Sequence, residues 1–171
     1  MISDIKDKLD PLTTIDVTDF DKKQAGILIY IKQNDQGIPV DLIYTLRSSN
    51  MTTHAGEVSF PGGMQDERDL NLAETAIRET QEETLADIKI IQPYTMISLP
   101  HINQVHMFYL ADLPNATFGT TIESSEVKLL ALEEIPWEEV AFPTVKLTLK
   151  FYQDDLSKNT FTFREDQILL S

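Results

Sequence analysis

The stretch GEVSFPGGMQDERDLNLAETAIRETQEET, residues 56–84, decides how this chain is read. Phe60-Pro61-Gly62-Gly63 is a turn signal, because proline removes a backbone donor and glycine lets the chain pass where a Cβ would clash. Behind it the sequence predicts a helix over about 72–85. At about 100° per residue, Glu79, Glu82 and Glu83 fall within an arc of roughly 100°. Ala73, Ala76, Ile77, Thr80 and Thr84 occupy a separate arc of small and apolar residues suited to close packing on a sheet. Arg78 lies at the border, four residues after Glu74 and four before Glu82, a spacing at which ion pairs form. Like charges at such spacings cost a few tenths of a kcal/mol each. Either the acidic arc is a solvated face or something positive sits on it. A hard divalent cation takes one or two carboxylates and completes its shell with water and phosphate oxygen. The two glycines, the arginine and the spacing together favour the cation.

Outward from this stretch the pattern alternates between strands and two main helices. Ile2, Ile5 and Leu9 are spaced for a short amphipathic helix before Pro11, and 10–23 reads as a polar connector. AGILIYIK (25–32) is rich in β-branched residues and reads as a central strand. NDQG (34–37) is a turn and VDLIYTLR (40–47) a returning strand, which makes a hairpin. After a polar loop over 48–55, EVSF forms a short strand that stops at Pro61. Further strands are predicted at 87–99, interrupted by Pro93, and at 104–113 and 126–132. IPWEEVAF holds a tight turn or short helix. Val145, Leu149 and Tyr152 favour a helix over 144–156, and TFTFR reads as a last strand.

Bulk properties narrow the function. With 28 acidic against 14 basic side chains and a net charge of -14, a nucleic-acid binder is disfavoured, since such proteins need cationic patches to displace counterions. An acidic enzyme acting on an anionic substrate needs a metal ion to mediate the contact. The absence of cysteine excludes disulfides and thiolate metal sites. MISDIKDKLDPL lacks an apolar signal core, and no run approaches the roughly 18 apolar residues of a membrane span. The expectation is one domain over 1–171 with 1–23 as a peripheral arm, in the cytoplasm, with no membrane or nucleic-acid partner. A homodimer is left open.

Gly63, Arg78, Glu79, Glu82 and Glu83 resemble the signature of the Nudix hydrolases: Gly, five residues, Glu, seven residues, then Arg-Glu-apolar-x-Glu-Glu-x-Gly-apolar. RETQEE supplies the core of that motif within 62–86. Asp69 stands where the first Glu belongs, one residue further from Arg78, with Glu74 as a stand-in. Thr80 takes an apolar position, and Leu85 replaces the glycine that caps the helix. The resemblance implies an α+β fold, an α/β/α sandwich with a mixed sheet flanked by helices. It implies Mg²⁺- or Mn²⁺-dependent hydrolysis of a nucleoside diphosphate linked to another moiety. By matched positions, Glu79 and Glu83 are the main metal ligands, Glu82 binds metal or shares the general-base work, and Arg78 orients the cluster. Within the family the base often comes from a distant loop; Glu126 is the first candidate here and Glu123 the second.

Two further resemblances bear on the substrate. TLRSSNMTTHAGEVSFPGG (45–63) is similar to the segment that marks coenzyme A diphosphatases, with Thr52 where an arginine is expected. It implies that Arg47 contacts a substrate phosphate beside Gly62 and Gly63. The C-terminal half, with His101, His106 and Trp137, resembles ADP-ribose and nucleotide-sugar hydrolases. A coenzyme A-type substrate is slightly preferred. ADP-ribose, NADH or a nucleotide sugar is the alternative, as is a non-catalytic nucleotide-binding regulator. Degenerate members lose acids from this motif, whereas all three glutamates are present here.

Overall fold

The computed structural model describes residues 23–30, 32–33, 39–49, 56–115 and 117–169. The expected N-terminal helix, the connector before residue 23 and the turn at 34–37 lie outside the described residues. The chain runs β1 (Lys23–Tyr30), β2 (Lys32–Gln33), β3 (Pro39–Arg47), β4 (Val58–Ser59) and β5 (Gly62–Met64) into helix α1 (Leu72–Thr84). It continues through β6 (Lys89–Leu99), β7 (Gln104–Asp112), β8 (Ser124–Ala131), helix α2 (Pro143–Lys158) and β9 (Arg164–Gln167).

One mixed sheet has the order β5-β1-β7-β6-β9, and β3 gathers β2, β4 and β8 into a second, antiparallel sheet. β7 shows why the first sheet lies in the middle of a sandwich. Side chains alternate across a strand with a period of two. Met107, Tyr109 and Ala111 enter the core beneath α1, while Phe108 and Leu110 enter the core beneath α2. Both faces are covered, giving the mixed sheet flanked by helices.

Three sequence expectations shift. The strand expected over 25–32 divides: β1 pairs in parallel with β7 along its whole length, and only Lys32–Gln33 forms the hairpin with β3. Pro93 does not interrupt β6, because register shifts at Ile90/Gln92 and Pro93/Thr95 absorb the missing donor. The last strand starts where TFTFR ends. Phe161 and Phe163 pack against the two cores, and the ladder with β6 begins only at Arg164 opposite Thr95.

Helix α1 sits close to the sheet. A Cβ on Gly26 of β1 would fall 2.3 Å from the Leu72 carbonyl oxygen, so only glycine permits this approach. Asn71 caps the helix by accepting the Glu74 N–H at 3.0 Å, and the Glu74 carboxylate accepts the Leu70 N–H at 2.9 Å. Glu74 is therefore an N-terminal cap and not a partner of Arg78. At the other end Leu85 adopts the left-handed conformation (φ 58°) that the missing glycine would take freely, and its N–H still reaches the Gln81 carbonyl at 2.9 Å.

Helix α2 is anchored by a buried charge. Asp155, 2% exposed, accepts the Tyr94 hydroxyl at 2.9 Å and both terminal nitrogens of Arg164, which in turn lies over the Phe151 ring. Desolvation works against its charge, but the Arg164 and Tyr94 hydrogen bonds outweigh that and hold the carboxyl below its ordinary value. The pair ties β9 to the C-terminal half of α2.

Two outcomes are expected from urea unfolding. Asp155→Ala leaves Arg164 and Tyr94 without their shared acceptor and lowers stability by about 3 kcal/mol, while Tyr94→Phe lowers it by about 1. Leu85 is 59% exposed, so Leu85→Gly removes little packing and raises stability by about 1 kcal/mol through release of the left-handed strain. A loss in Leu85→Gly would show that contacts of its side chain outweigh that strain.

Candidate functional site

Strand β5 places the glycines and α1 the acids. Gly62 and Gly63 pair antiparallel with Ile27 and Gly26 of β1, which aligns them with the helix packed on Gly26. A Cβ on Gly63 would stand 2.5 Å from the Glu79 carboxylate, so the carboxylate fills the space that the glycine leaves. The N–H of Gly62 donates to Glu83 Oε2 at 3.3 Å.

Arg78 connects the acids. Its Nε donates to Asp69 Oδ1 at 3.0 Å and one terminal nitrogen to Asp69 Oδ2 at 2.8 Å, a two-point grip that fixes the guanidinium plane. The other terminal nitrogen donates to Glu79 Oε1 at 2.6 Å and Glu82 Oε2 at 3.0 Å. Asp69 therefore orients the arginine despite its altered spacing, and its pKa falls to about 2, chiefly through the Arg78 hydrogen bonds.

The three glutamates are not equivalent, which corrects the expectation of one continuous acidic face. Glu82 is exposed, Glu79 half-buried and Glu83 buried. Burial pushes the Glu83 carboxyl up to about 8; the charge of Glu79 adds to the shift and so does Glu123, while Arg47 and the Gly62 N–H oppose it. Burial also raises Glu79, against the pull of Arg78. Arg47 Nη1 lies 3.8 Å from Glu83 Oε1, beyond hydrogen-bonding distance, and its buried Nε has no partner among the described residues.

Of the two acids considered on β8 and the loop before it, Glu123 is brought to this cluster. Ser48 donates its N–H to the Glu123 carbonyl at 2.8 Å, and Gly119 and Thr121 cap the Thr84 and Glu83 carbonyls at 2.8 and 3.4 Å. The loop is thereby tied to the end of α1. Glu126 instead pairs with Lys128, two residues along the same face of β8.

A pocket of about 180 Å³ opens beside Arg47, Gly62 and Gly63. Gln104, which the sequence did not single out, and His106 both line this pocket, with Phe60 and Phe142. The signal was the strand period, which places 104 and 106 on one face. Burial lowers the His106 pKa to about 4. His101 is exposed on the turn before β7, and Trp137 packs partly buried against the core.

Among the described residues no three acidic or histidine side chains converge to enclose an ion unaided. The donor set still suits a hard cation. Glu83 is buried with only the Gly62 N–H and the more distant Arg47 facing its carboxyl, so its anionic form lacks full compensation without a further cation. Glu79 and Glu83 can supply two carboxylate ligands, with water and phosphate completing the shell.

Comparison with known proteins bears on the fold. The family model described as "NUDIX domain" matches residues 22–153. The uncharacterized Nudix hydrolase NudL of Pectobacterium atrosepticum is 33% identical over 119 residues, covering 69% of this chain and 59% of that protein. The mitochondrial coenzyme A diphosphatase NUDT8 of Mus musculus is 57% identical over 49 residues, 28% of this chain and 23% of that protein. A crystal structure of a NUDIX hydrolase from Nitrosomonas europaea superposes with a TM-score of 0.74 at 30% identity, covering 86% of this chain and 78% of that one. The chain spans from 23% to 59% of the length of these curated relatives. Among the described residues no helix is long and apolar enough to cross a membrane.

The electrostatics give a measurable consequence. An acid whose folded pKa stands above its ordinary 4.5 keeps its proton in the fold after the unfolded chain has released it, so stability falls as pH rises from about 4.5 to about 8. In chelator, stability is expected to drop by on the order of 3 kcal/mol between pH 5 and 8. Glu83→Gln should flatten that slope, and millimolar Mg²⁺ should offset it in the wild type. A pH-independent wild type would show that Glu83 is not the buried, undercompensated acid described.

Proposed function

This chain belongs to the Nudix family, and from that premise we propose that it is a Mg²⁺-dependent pyrophosphohydrolase. Its substrate is a nucleoside diphosphate linked to another moiety, with a coenzyme A-type molecule preferred. The observation that carries the reading is the pairing of buried, undercompensated Glu83 with Glu79 at the Gly62–Gly63 gap.

Bound Mg²⁺ or Mn²⁺ supplies charge neutralisation for the diphosphate and acidifies water. The chain's own residues do the rest. Glu79 and Glu83 would hold the ion, and Arg78, fixed by Asp69, keeps Glu79 and Glu82 in place. The glycines let substrate oxygens approach the backbone. Arg47, which lines the pocket beside Glu83, is the cation available to a phosphate oxygen there. Glu123, whose charge bears on both Glu79 and Glu83, is the first choice for taking a proton from water. Glu82, joined to Arg78, is the second choice, and Glu126 serves only by leaving Lys128.

The coenzyme A preference draws on the 45–63 segment and on the short match to NUDT8. ADP-ribose, NADH or a nucleotide sugar is the second reading, drawn from the character of the C-terminal half. A non-catalytic regulator is disfavoured by the three glutamates.

The test is product release from coenzyme A, ADP-ribose, NADH and a dinucleoside polyphosphate, with Mg²⁺, Mn²⁺ or chelator. Coenzyme A is expected to be cleaved fastest, with metal only. Glu79→Gln and Glu83→Gln should each lower kcat by at least about 100-fold while the protein stays folded, beyond the usual effect of losing an outer-shell partner. Cleavage of none of the four would overturn the enzyme reading, and faster cleavage of ADP-ribose the preference.

A further inference from the structure

The pocket beside the carboxylates is mostly apolar, walled by Ile27, Phe60, Phe142 and Val145. Its few polar groups are largely spent. The Ser59 hydroxyl donates to the Phe60 carbonyl at 3.2 Å. Both ring nitrogens of His106 are engaged: Nδ1 lies 3.1 Å from the Thr144 hydroxyl and Nε2 lies 3.2 Å from Gln104 Oε1. A carbonyl oxygen only accepts, so Nε2 carries the hydrogen and Nδ1 accepts from Thr144. A neutral ring with one N–H is what a buried histidine of pKa about 4 provides near pH 7. The relay runs Thr144 hydroxyl to His106, and His106 to the Gln104 carbonyl. It ends on the side-chain NH₂ of Gln104, which has no partner among the described residues. The main chain at Gln104 is fixed as well, between Lys23 of β1 and Leu99 of β6.

We infer that Gln104 is a specificity-determining residue whose oriented side-chain N–H donates to an uncharged acceptor on the substrate group seated in this pocket. The inference rests on the pyrophosphohydrolase reading for the location of the diphosphate, at Arg47 and the glycines. A donor held in a largely apolar pocket favours a ligand that offers it an acceptor and penalises one that does not. Two chemistries meet that need: a ring nitrogen of adenine and the amide carbonyl of a pantetheine arm. Coenzyme A carries both, whereas ADP-ribose carries only the first.

The experiment compares wild type with Gln104→Leu, Gln104→Glu and Thr144→Val, using steady-state kinetics and calorimetric binding of coenzyme A and ADP-ribose. Gln104→Leu is expected to raise KM and Kd about tenfold, the equivalent of one hydrogen bond, with kcat falling less than about threefold. Gln104→Glu should raise KM further, because a carboxylate offers no hydrogen and repels the diphosphate. Thr144→Val should raise it less, since it only frees the relay to reorient. A rise on both substrates assigns the acceptor to the adenosine half that they share, and a rise confined to coenzyme A assigns it to the pantetheine amide. Unchanged Kd in Gln104→Leu overturns the inference, as does a loss of kcat at constant KM. If the wild type binds but cleaves neither substrate and Gln104→Leu still weakens binding, the reaction reading fails and this inference stands.

Discussion

A carboxylate buried beside another carboxylate is the constraint on which this molecule turns. Glu83 is held in the protein interior, near Glu79 and within the influence of Glu123, with one backbone N–H and one distant arginine to offset its charge. Burial of charge without full compensation is expensive, and a sequence selected for stability alone would place an apolar residue at this point of α1. The surrounding glycines make the same case. Gly63 yields the volume of a side chain to the Glu79 carboxylate, and Gly62 turns its N–H to Glu83.

The motif is kept through geometry where residue identities depart from it. Asp69 is shorter than glutamate and displaced along the chain, yet it grips Arg78 with both oxygens, because the loop folds back through its own contacts: Asp69 also accepts the Asp66 N–H and the Thr75 hydroxyl. Leu85 takes the left-handed conformation normally left to glycine, and Gly119 packs beneath its side chain while capping Thr84. One glycine is lost from the helix end and another serves on the facing loop. That loop is the one that brings Glu123 to the cluster.

What could be read from the sequence follows from the range of the interactions involved. Helix α1, most of its packed arc and the positions of its acids depend on neighbours three and four residues apart; the helix emerged within one residue of its bounds, although Thr75 and Glu83 are buried where Ile77 was expected. The strand at Pro93 survived because bulges, invisible to a local pattern, absorb the proline. The split of 25–32 between two sheets depends on parallel pairing with β7, about eighty residues away, which no alternation in those eight residues encodes. Site residues divide the same way. The acids lie within one helix and were legible. The depth of Glu83, the hold of Lys128 on Glu126 and the pocket formed by Arg47, Phe60, Gln104 and Phe142 arise only when distant segments meet.

Reaction and recognition fall on different layers of the sandwich. The layer of α1 carries the acids, whereas the pocket wall includes Phe142, just before α2, and Val145 within it, with Thr144 supporting His106 from the same turn. At this first turn Pro143 lacks an N–H, the Lys146 N–H reaches the Phe142 carbonyl at 3.1 Å, and Thr144 bonds His106. The strong tie lies at the other end of α2, where Asp155 binds Arg164 and Tyr94. Over the eleven residues from Thr144 to Asp155 the helix rises about 16 Å, and a straight helix over that span is stiff. Thr95 adds a point between them by sharing a hydrogen bond with Thr148 at 2.9 Å. The position of the pocket wall is therefore set from a buried ion pair well away from it, so side chains at 104, 142 and 145 can change the ligand without disturbing the carboxylates that perform the chemistry.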